Sequence, residues 1–416
     1  MEKWGILLAA ASVAVCAYGE SWPVWGGPRA DFTVKASGLV AGNGKWISKP
    51  PRELWERTLG DGYSPIAEEN GVLYTAYRDG DRDVVIALEA ATGKTLWEYG
   101  YAAPFRSAYS EEVGPGPYAM PQAIGGRVVS ASGDGQIHSL DKKTGKPVWS
   151  RDLYREFGGT RLEFGYASHA RPYKDSLLVL AGGNGSALVR LRQSDGSVVW
   201  KRHNLTNAYS SPLLIEVDGR PQAVALLAQE IIGFDPESGD ILWRHDHPTQ
   251  YGIAISTPVW TPGNVLFLSS AYEGGSRALQ VTQNGARELW RNPRVQLHFG
   301  SAIRDGDTMY VSSGHRGPAF LTALALKTGA VLWQARDFAK AQLLAADGKL
   351  IILDEDGNLG IGLASPQRFQ AVAKWPLLTR HSWTPPTLVG TRLYARDRKS
   401  IVAVDLGAAG SGPARK

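Results

Sequence analysis

From residue 50 to residue 406 the chain is written in short apolar runs of strand length. Apolar and polar positions alternate within them, as in VVIALEA (84–90) and GQIHSLD (135–141). That alternation predicts half-buried β-strands. Gly, Asp, Asn and Pro punctuate the runs at short intervals, which is turn chemistry. GVLYTAYRDG (71–80), GRVVSASGDG (126–135) and GKLIILDEDG (348–357) each read as a strand leading into a tight turn.

The tryptophans give these strands a register. ALEAATGKTLW ends at Trp97, SLDKKTGKPVW at Trp149, RLRQSDGSVVW at Trp200, GFDPESGDILW at Trp243 and ALALKTGAVLW at Trp333. In all five, a Gly stands four residues before the Trp: Gly93, Gly145, Gly196, Gly239 and Gly329. The unit is a strand, a turn needing a positive φ that Gly supplies, and a second strand carrying the Trp. Such a hairpin cannot bury its own face and must stack on copies of itself. Looser copies end at Trp290, where Gly285 comes one place early, and at Trp375, which has no turn Gly. Trp55 has no hairpin before it, while the last strand, IVAVDLG (401–407), has no Trp after it. Ring closure explains both ends: the strand around Trp55 completes the final blade.

Eight Trp, spaced 42–52 residues apart, fit four strands per unit. The predicted fold is all-β: an eight-bladed β-propeller of four-stranded antiparallel blades, closed by the N-terminal strand. The expected organisation is a signal peptide at 1–19, a leader at 20–51, the propeller at 52–406 and a disordered tail at 407–416.

The 11-residue unit resembles the tryptophan-docking repeat of the pyrroloquinoline-quinone (PQQ)-type propellers. Ala87, Glu89, Thr92, Gly93, Lys94 and Trp97 carry the best match, followed by Asp141, Thr144, Gly145, Lys146 and Trp149. SWPVWGGPRADFT (21–33) also looks like the leader of secreted proteins of this kind. The resemblance implies that Trp55, Trp97, Trp149, Trp200, Trp243, Trp290, Trp333 and Trp375 dock between blades. It implies one of two functions. One is the non-catalytic scaffold role of the propeller lipoprotein in the outer-membrane β-barrel assembly machinery. The other is that of the quinoprotein alcohol dehydrogenases, which use PQQ and a calcium ion.

The N-terminus reads as an export signal. Lys3 precedes an apolar run from Trp4 to Tyr18, and Ala17-Tyr18-Gly19 offers small residues at −3 and −1. Fifteen helical residues rise ~22 Å, short of a ~30 Å hydrocarbon core. The mature chain is expected to start near Glu20 and to have no membrane span. Val15 before Cys16 disfavours a lipoprotein reading. A periplasmic or extracellular location follows. The single Cys excludes intramolecular disulfides, Cys-based metal sites and the vicinal disulfide of many quinoprotein dehydrogenases. A formal net charge of +5 over 416 residues is too diffuse for nucleic-acid binding. The chain is expected to be a monomer.

Catalytic motifs are absent: no G-x-S-x-G, H-E-x-x-H or CxxCH. Asp134, Asp354 and Asp356 read as turn residues, and His245-x-His247 as a solvated pair. No catalytic residue, resident metal or cofactor is expected, although PQQ with calcium stays open as the alternative. One constellation recurs before the first strand of successive units: an aromatic, a small residue, and often Pro. It gives Tyr63, Tyr118, Tyr166, Tyr209, Phe299 and Trp383. Arg106, Arg161, His169, Arg171, His298 and His381 stand nearby. In a propeller these twelve residues would ring one mouth of the axial channel. They would either plug it or form a funnel for a planar anion such as a PQQ-like tricarboxylate, or a sugar. Glu111, Glu112 and Glu163 are the carboxylates closest to that mouth in sequence. Loops 102–117 and 155–165 are the longest insertions and fall beside it. The expected partners are envelope or extracellular proteins, or a small planar or sugar ligand.

Overall fold

The computed structural model describes residues 19–40, 44–315 and 317–408. The signal segment through Tyr18, with Cys16, and residues 409–416 lie outside the described residues.

The strands form eight sheets, one per blade. Blade one runs Ala67–Glu69, Val72–Asp79, Arg82–Glu89 and Thr95–Ala102. Blades two to six span 122–152, 171–202, 213–246, 259–292 and 303–335 in the same order. Blade seven (341–376) gains a fifth strand, Thr33–Val34, which pairs in parallel with Ala345 and Ala346. Blade eight consists of Thr387–Val389, Arg392–Arg396 and Ser400–Asp405, and Arg52–Thr58 pairs with its third strand. The N-terminal strand thus closes the ring. The four regular strands of each blade pair antiparallel, the first of them toward the axis.

No single central core exists. Apolar side chains fill the layers between blades. Ile124, Val129 and Trp149 pack with Leu177, Val179 and Leu191 between blades two and three. Val224, Leu226 and Trp243 pack with Leu266, Leu268 and Leu279 between blades four and five.

The tryptophan unit acts across these layers. A bulge interrupts the register between the third and fourth strands of every blade. A bulge adds local twist and re-aims a side chain, and here the fourth-strand Trp turns onto the hairpin turn of the next blade. Trp97 Nε1 donates to Lys142 O at 3.1 Å, Trp149 to Gln193 O at 2.9 Å and Trp290 to Leu326 O at 2.7 Å. Trp55 reaches Ala90 O, and Trp333 reaches Ser365 O. The turn Gly lies flat under the incoming ring. A Cβ at Gly145 would fall 2.4 Å from Trp97, and one at Gly329 would fall 2.3 Å from Trp290.

Three copies depart from this scheme. Where Gly285 comes one place early, Trp243 bonds instead to Gln222 Oε1 at 2.8 Å, and Gln222 Nε2 reaches the next turn through Gln283 O at 3.0 Å. The amide bridges what the Trp no longer spans. In blade seven the bulge lies at Ile361/Gly362, opposite Ala371 and Ala373. Trp375 is displaced along the strand and docks on the leader, donating to Ser48 O at 3.3 Å. Trp200 keeps its place against Gly239, but its buried Nε1 makes no hydrogen bond.

Two segments are more tightly held than the sequence suggests. The leader crosses the end of the channel opposite the predicted mouth. Trp22 pairs with Glu68 at the far end of blade one's inner strand, and Pro23 O accepts from Ala123 N in blade two. The tail expected from residue 407 is anchored over its first two residues: Gly407 bridges Leu39, and Ala408 N donates to Gly38 O at 2.9 Å.

Candidate functional site

The axial channel is a funnel of about 620 Å³. Its floor is the leader. Trp25 stacks on His169 at 4.3 Å and 9°, donates Nε1 to Thr257 Oγ1 at 2.9 Å, and meets Phe32 edge-on at 5.0 Å. These contacts reach blades three and five, so the plug is tied to two blades a quarter turn apart.

The mouth is aromatic. Rings follow one another in contact from Tyr118 through Tyr63, Trp383 and Phe299 to His298 and Tyr272. Across the opening Tyr109, Phe164 and Tyr209 form a second run. Tyr109 and Tyr251 are the exposed rim, at 46% and 57%. Both long loops contribute. Loop 102–117 supplies Tyr109, Glu112 and Val113, the last two from the short helix Ser110–Val113. Loop 155–165 supplies Phe164.

Seven of the twelve predicted mouth residues line the funnel: Tyr63, Tyr118, His169, Tyr209, His298, Phe299 and Trp383. Five do not. Arg106 turns outward to Asp81 Oδ1 at 2.6 Å. Arg161 lies over the Tyr154 ring at 4.6 Å. Tyr166 is buried in the layer between blades two and three. Arg171 starts the inner strand of blade three with its Nε buried in protein. His381 packs on Trp383 from outside the lining, at 4.6 Å. Strand parity explains Tyr166. Side chains alternate faces with period two, and Ala167 and His169 take the channel positions that Tyr209 and Ser211 hold in blade four. The sequence reading missed the floor residues Trp25 and Phe32, as well as Tyr272 and the aliphatic walls Ile253 and Ile255. The tryptophans of SWPVWGG were the only signal for the floor.

In four of the six copies a hydroxyl one or two places after the aromatic has a role of its own. Ser64 Oγ donates to Ala119 O, Ser210 Oγ to Ser256 O, Ser301 Oγ to Leu343 O and Thr384 Oγ1 to Tyr63 O. Each hydroxyl reaches the next blade. In these four blades the motif puts a ring into the channel and a lock between neighbours.

The lining is close to electrically neutral. Burial holds the His169 imidazole down at about 3. Burial does the same to His298, helped by Lys340 and His315, and its value is also about 3. Both rings are uncharged at neutral pH. Burial pushes the Tyr63 and Tyr209 hydroxyls up to about 12. No Lys or Arg belongs to the lining among the described residues, and Glu112 at the rim is its one carboxylate. A PQQ-type tricarboxylate needs cationic partners, and calcium needs several converging oxygens. The residues present supply neither. Among the described residues no three His, Cys, Asp or Glu side chains converge on a point that could hold a metal. Asp354 accepts from Asn358 N at 2.9 Å within its own turn. His247 is buried rather than solvated: its Nε2 lies 3.0 Å from Ser270 Oγ.

A family model described as Outer membrane protein assembly factor BamB matches residues 109–335. The chain is 24% identical over 381 residues to the protein of that name from Yersinia pestis, covering 85% of this chain and 88% of the relative. It superposes on the crystal structure of BamB from Moraxella catarrhalis with a TM-score of 0.60 and 17% identity, over 85% of this chain and all (100%) of that one. Quinohemoprotein alcohol dehydrogenase from Comamonas testosteroni gives a TM-score of 0.65 at 12% identity, over 95% of this chain and 82% of that one. These structural likenesses speak for the fold alone. The family match, spanning more than half of the chain, places this eight-bladed propeller in the BamB-type family of PQQ-like repeat proteins.

Proposed function

We propose that the protein is a non-catalytic scaffold of the cell envelope, serving the assembly of outer-membrane β-barrel proteins. It works from its loop-rich, aromatic-rimmed face. The family match carries the assembly role. The working face is argued from the gathering of both long loops, the short Ser110–Val113 helix and the exposed Tyr109 and Tyr251 on one end of the ring. Loops on a rigid scaffold are where binding concentrates, and exposed aromatics are enriched at interface anchors. The dehydrogenase alternative draws no support from a lining without cations or a carboxylate cluster. The expected export signal would deliver the chain to the compartment where the role is exercised.

Deleting the gene in its own host is expected to lower the amount of folded β-barrel protein in the outer membrane, and the full-length chain is expected to restore it. Unchanged barrel content in the deletion strain would contradict the assembly role.

A further inference from the structure

We propose that the funnel is a binding site for an uncharged, flat, largely apolar ring system of two or three rings. The funnel opens on the face proposed for docking, but the ligand reading rests on the funnel's own lining and not on the assembly role.

The volume fits. About 620 Å³ lies inside the ordinary range for small-molecule pockets, roughly 300–1,000 Å³. The site is concave, and Trp25 and Phe32 close it at the base, so a ligand enters only through the aromatic mouth. Stacking surfaces are plentiful there: Tyr63, Trp383 and Phe299 follow one another around the rim, each ring within 5.3 Å of the next. Aromatic pairs prefer offset or edge-on contact, which a flat guest between such walls can satisfy.

Charge disfavours an anion, although Lys340 stands behind the lining, 3.4 Å from His298 Nδ1 and 5.1 Å from the Phe299 ring centroid. The lining offers no Lys or Arg among the described residues, and Glu112 would repel a carboxylate or phosphate. Hydrogen-bond supply is too small for a polyol. Most polar groups around the funnel are already engaged with protein; the Tyr63 hydroxyl and His169 Nε2 are buried without a partner and leave room for one or two hydrogen bonds only. Tyr118 OH donates to Gly114 O at 2.6 Å, and Tyr209 OH accepts from Phe164 N at 3.2 Å. Ser211 Oγ is held 2.8 Å from His169 Nδ1. Thr257 Oγ1 accepts from Trp25, and Tyr272 OH lies 2.8 Å from His298 Nε2. A polyol would lose water without gaining partners, at about 1–3 kcal/mol for each unpaired group. A flat apolar guest has no such cost.

The test uses two dyes that differ by one sulfonate. N-Phenyl-1-naphthylamine is neutral, and 8-anilinonaphthalene-1-sulfonate is its anionic counterpart. Fluorescence titration of the folded, full-length mature protein is expected to show saturable binding of the neutral dye at one equivalent. The anionic dye should bind at least about tenfold more weakly. Tyr109→Ala is expected to weaken the neutral dye with an unchanged unfolding midpoint, and Trp383→Ala to weaken it in protein that is less stable but still folded at the assay temperature. Glucose or maltose should not displace it. Equal affinity for the two dyes, displacement by saccharide, or no saturable neutral-dye binding would overturn the proposal. So would insensitivity to both substitutions in folded protein.

Discussion

Arg396→Ala is expected to destabilise the ring by about 3–5 kcal/mol, combining a buried cavity with unpaired carbonyls. Arg396 is completely buried, at 0% exposure. It sits in blade eight and reaches across the seam into blade one. Its guanidinium donates to Gly62 O at 2.9 Å, Ala76 O at 2.7 Å and Thr75 Oγ1 at 3.1 Å. Burial lowers its pKa to about 10, so it stays charged at neutral pH. The cation is held by carbonyl dipoles with no carboxylate in contact. Removing it strands those oxygens at the point where the ring is closed without a covalent link. Thr387 Oγ1 to Ile66 O and the Arg398–Asp61 pair, at 2.7 Å, hold the same seam less deeply. Arg396→Met separates the two costs by restoring volume without donors, and about 1–3 kcal/mol should remain. Urea unfolding of the three proteins measures this. A Met variant as stable as the parent would refute the carbonyl-anchor account.

Gly145→Ala is expected to cost about 3 kcal/mol, the sum of left-handed strain and overpacking. Gly145 has φ of +69°, and a Cβ there would meet Trp97 at 2.4 Å with the indole already fixed to Lys142 O. The Trp must leave its dock or the turn must move. Gly125 is the internal control. It has φ of +59° in the same blade, and a Cβ added there would meet nothing within 4 Å. Gly125→Ala should cost only the backbone strain, about 1–2 kcal/mol. Equal unfolding midpoints for the two variants would show that the ring contact carries no energy.

These two positions also show what the sequence could and could not reveal. Gly145 belongs to a signal repeated in register, so the blades, their number and the closing role of Trp55 followed from spacing alone. Arg396 carries no such signal, since its partners lie more than 300 positions away. The leader is hidden for the same reason: Trp25 meets Thr257 across 232 residues. The mouth was half legible. The aromatic–small pair located the channel entrance in most blades, but parity in blade three puts Tyr166 in the core and His169 in the funnel. The arginines failed because long side chains in loops choose partners by geometry, as Arg106 does with Asp81. Their departure removes the charge that an anionic ligand would need.

Site-specific photocrosslinking in the envelope tests the central claim, that the loop-rich mouth is the working face. p-Benzoylphenylalanine is placed at Tyr109 and Tyr251 on the rim. It is also placed at Lys143 and Lys327, exposed in the turns before fourth strands at the opposite end of the ring. The account predicts adducts with components of outer-membrane protein assembly from the two rim positions and none from the two turn positions. Adducts from Lys143 and Lys327 alone would contradict it.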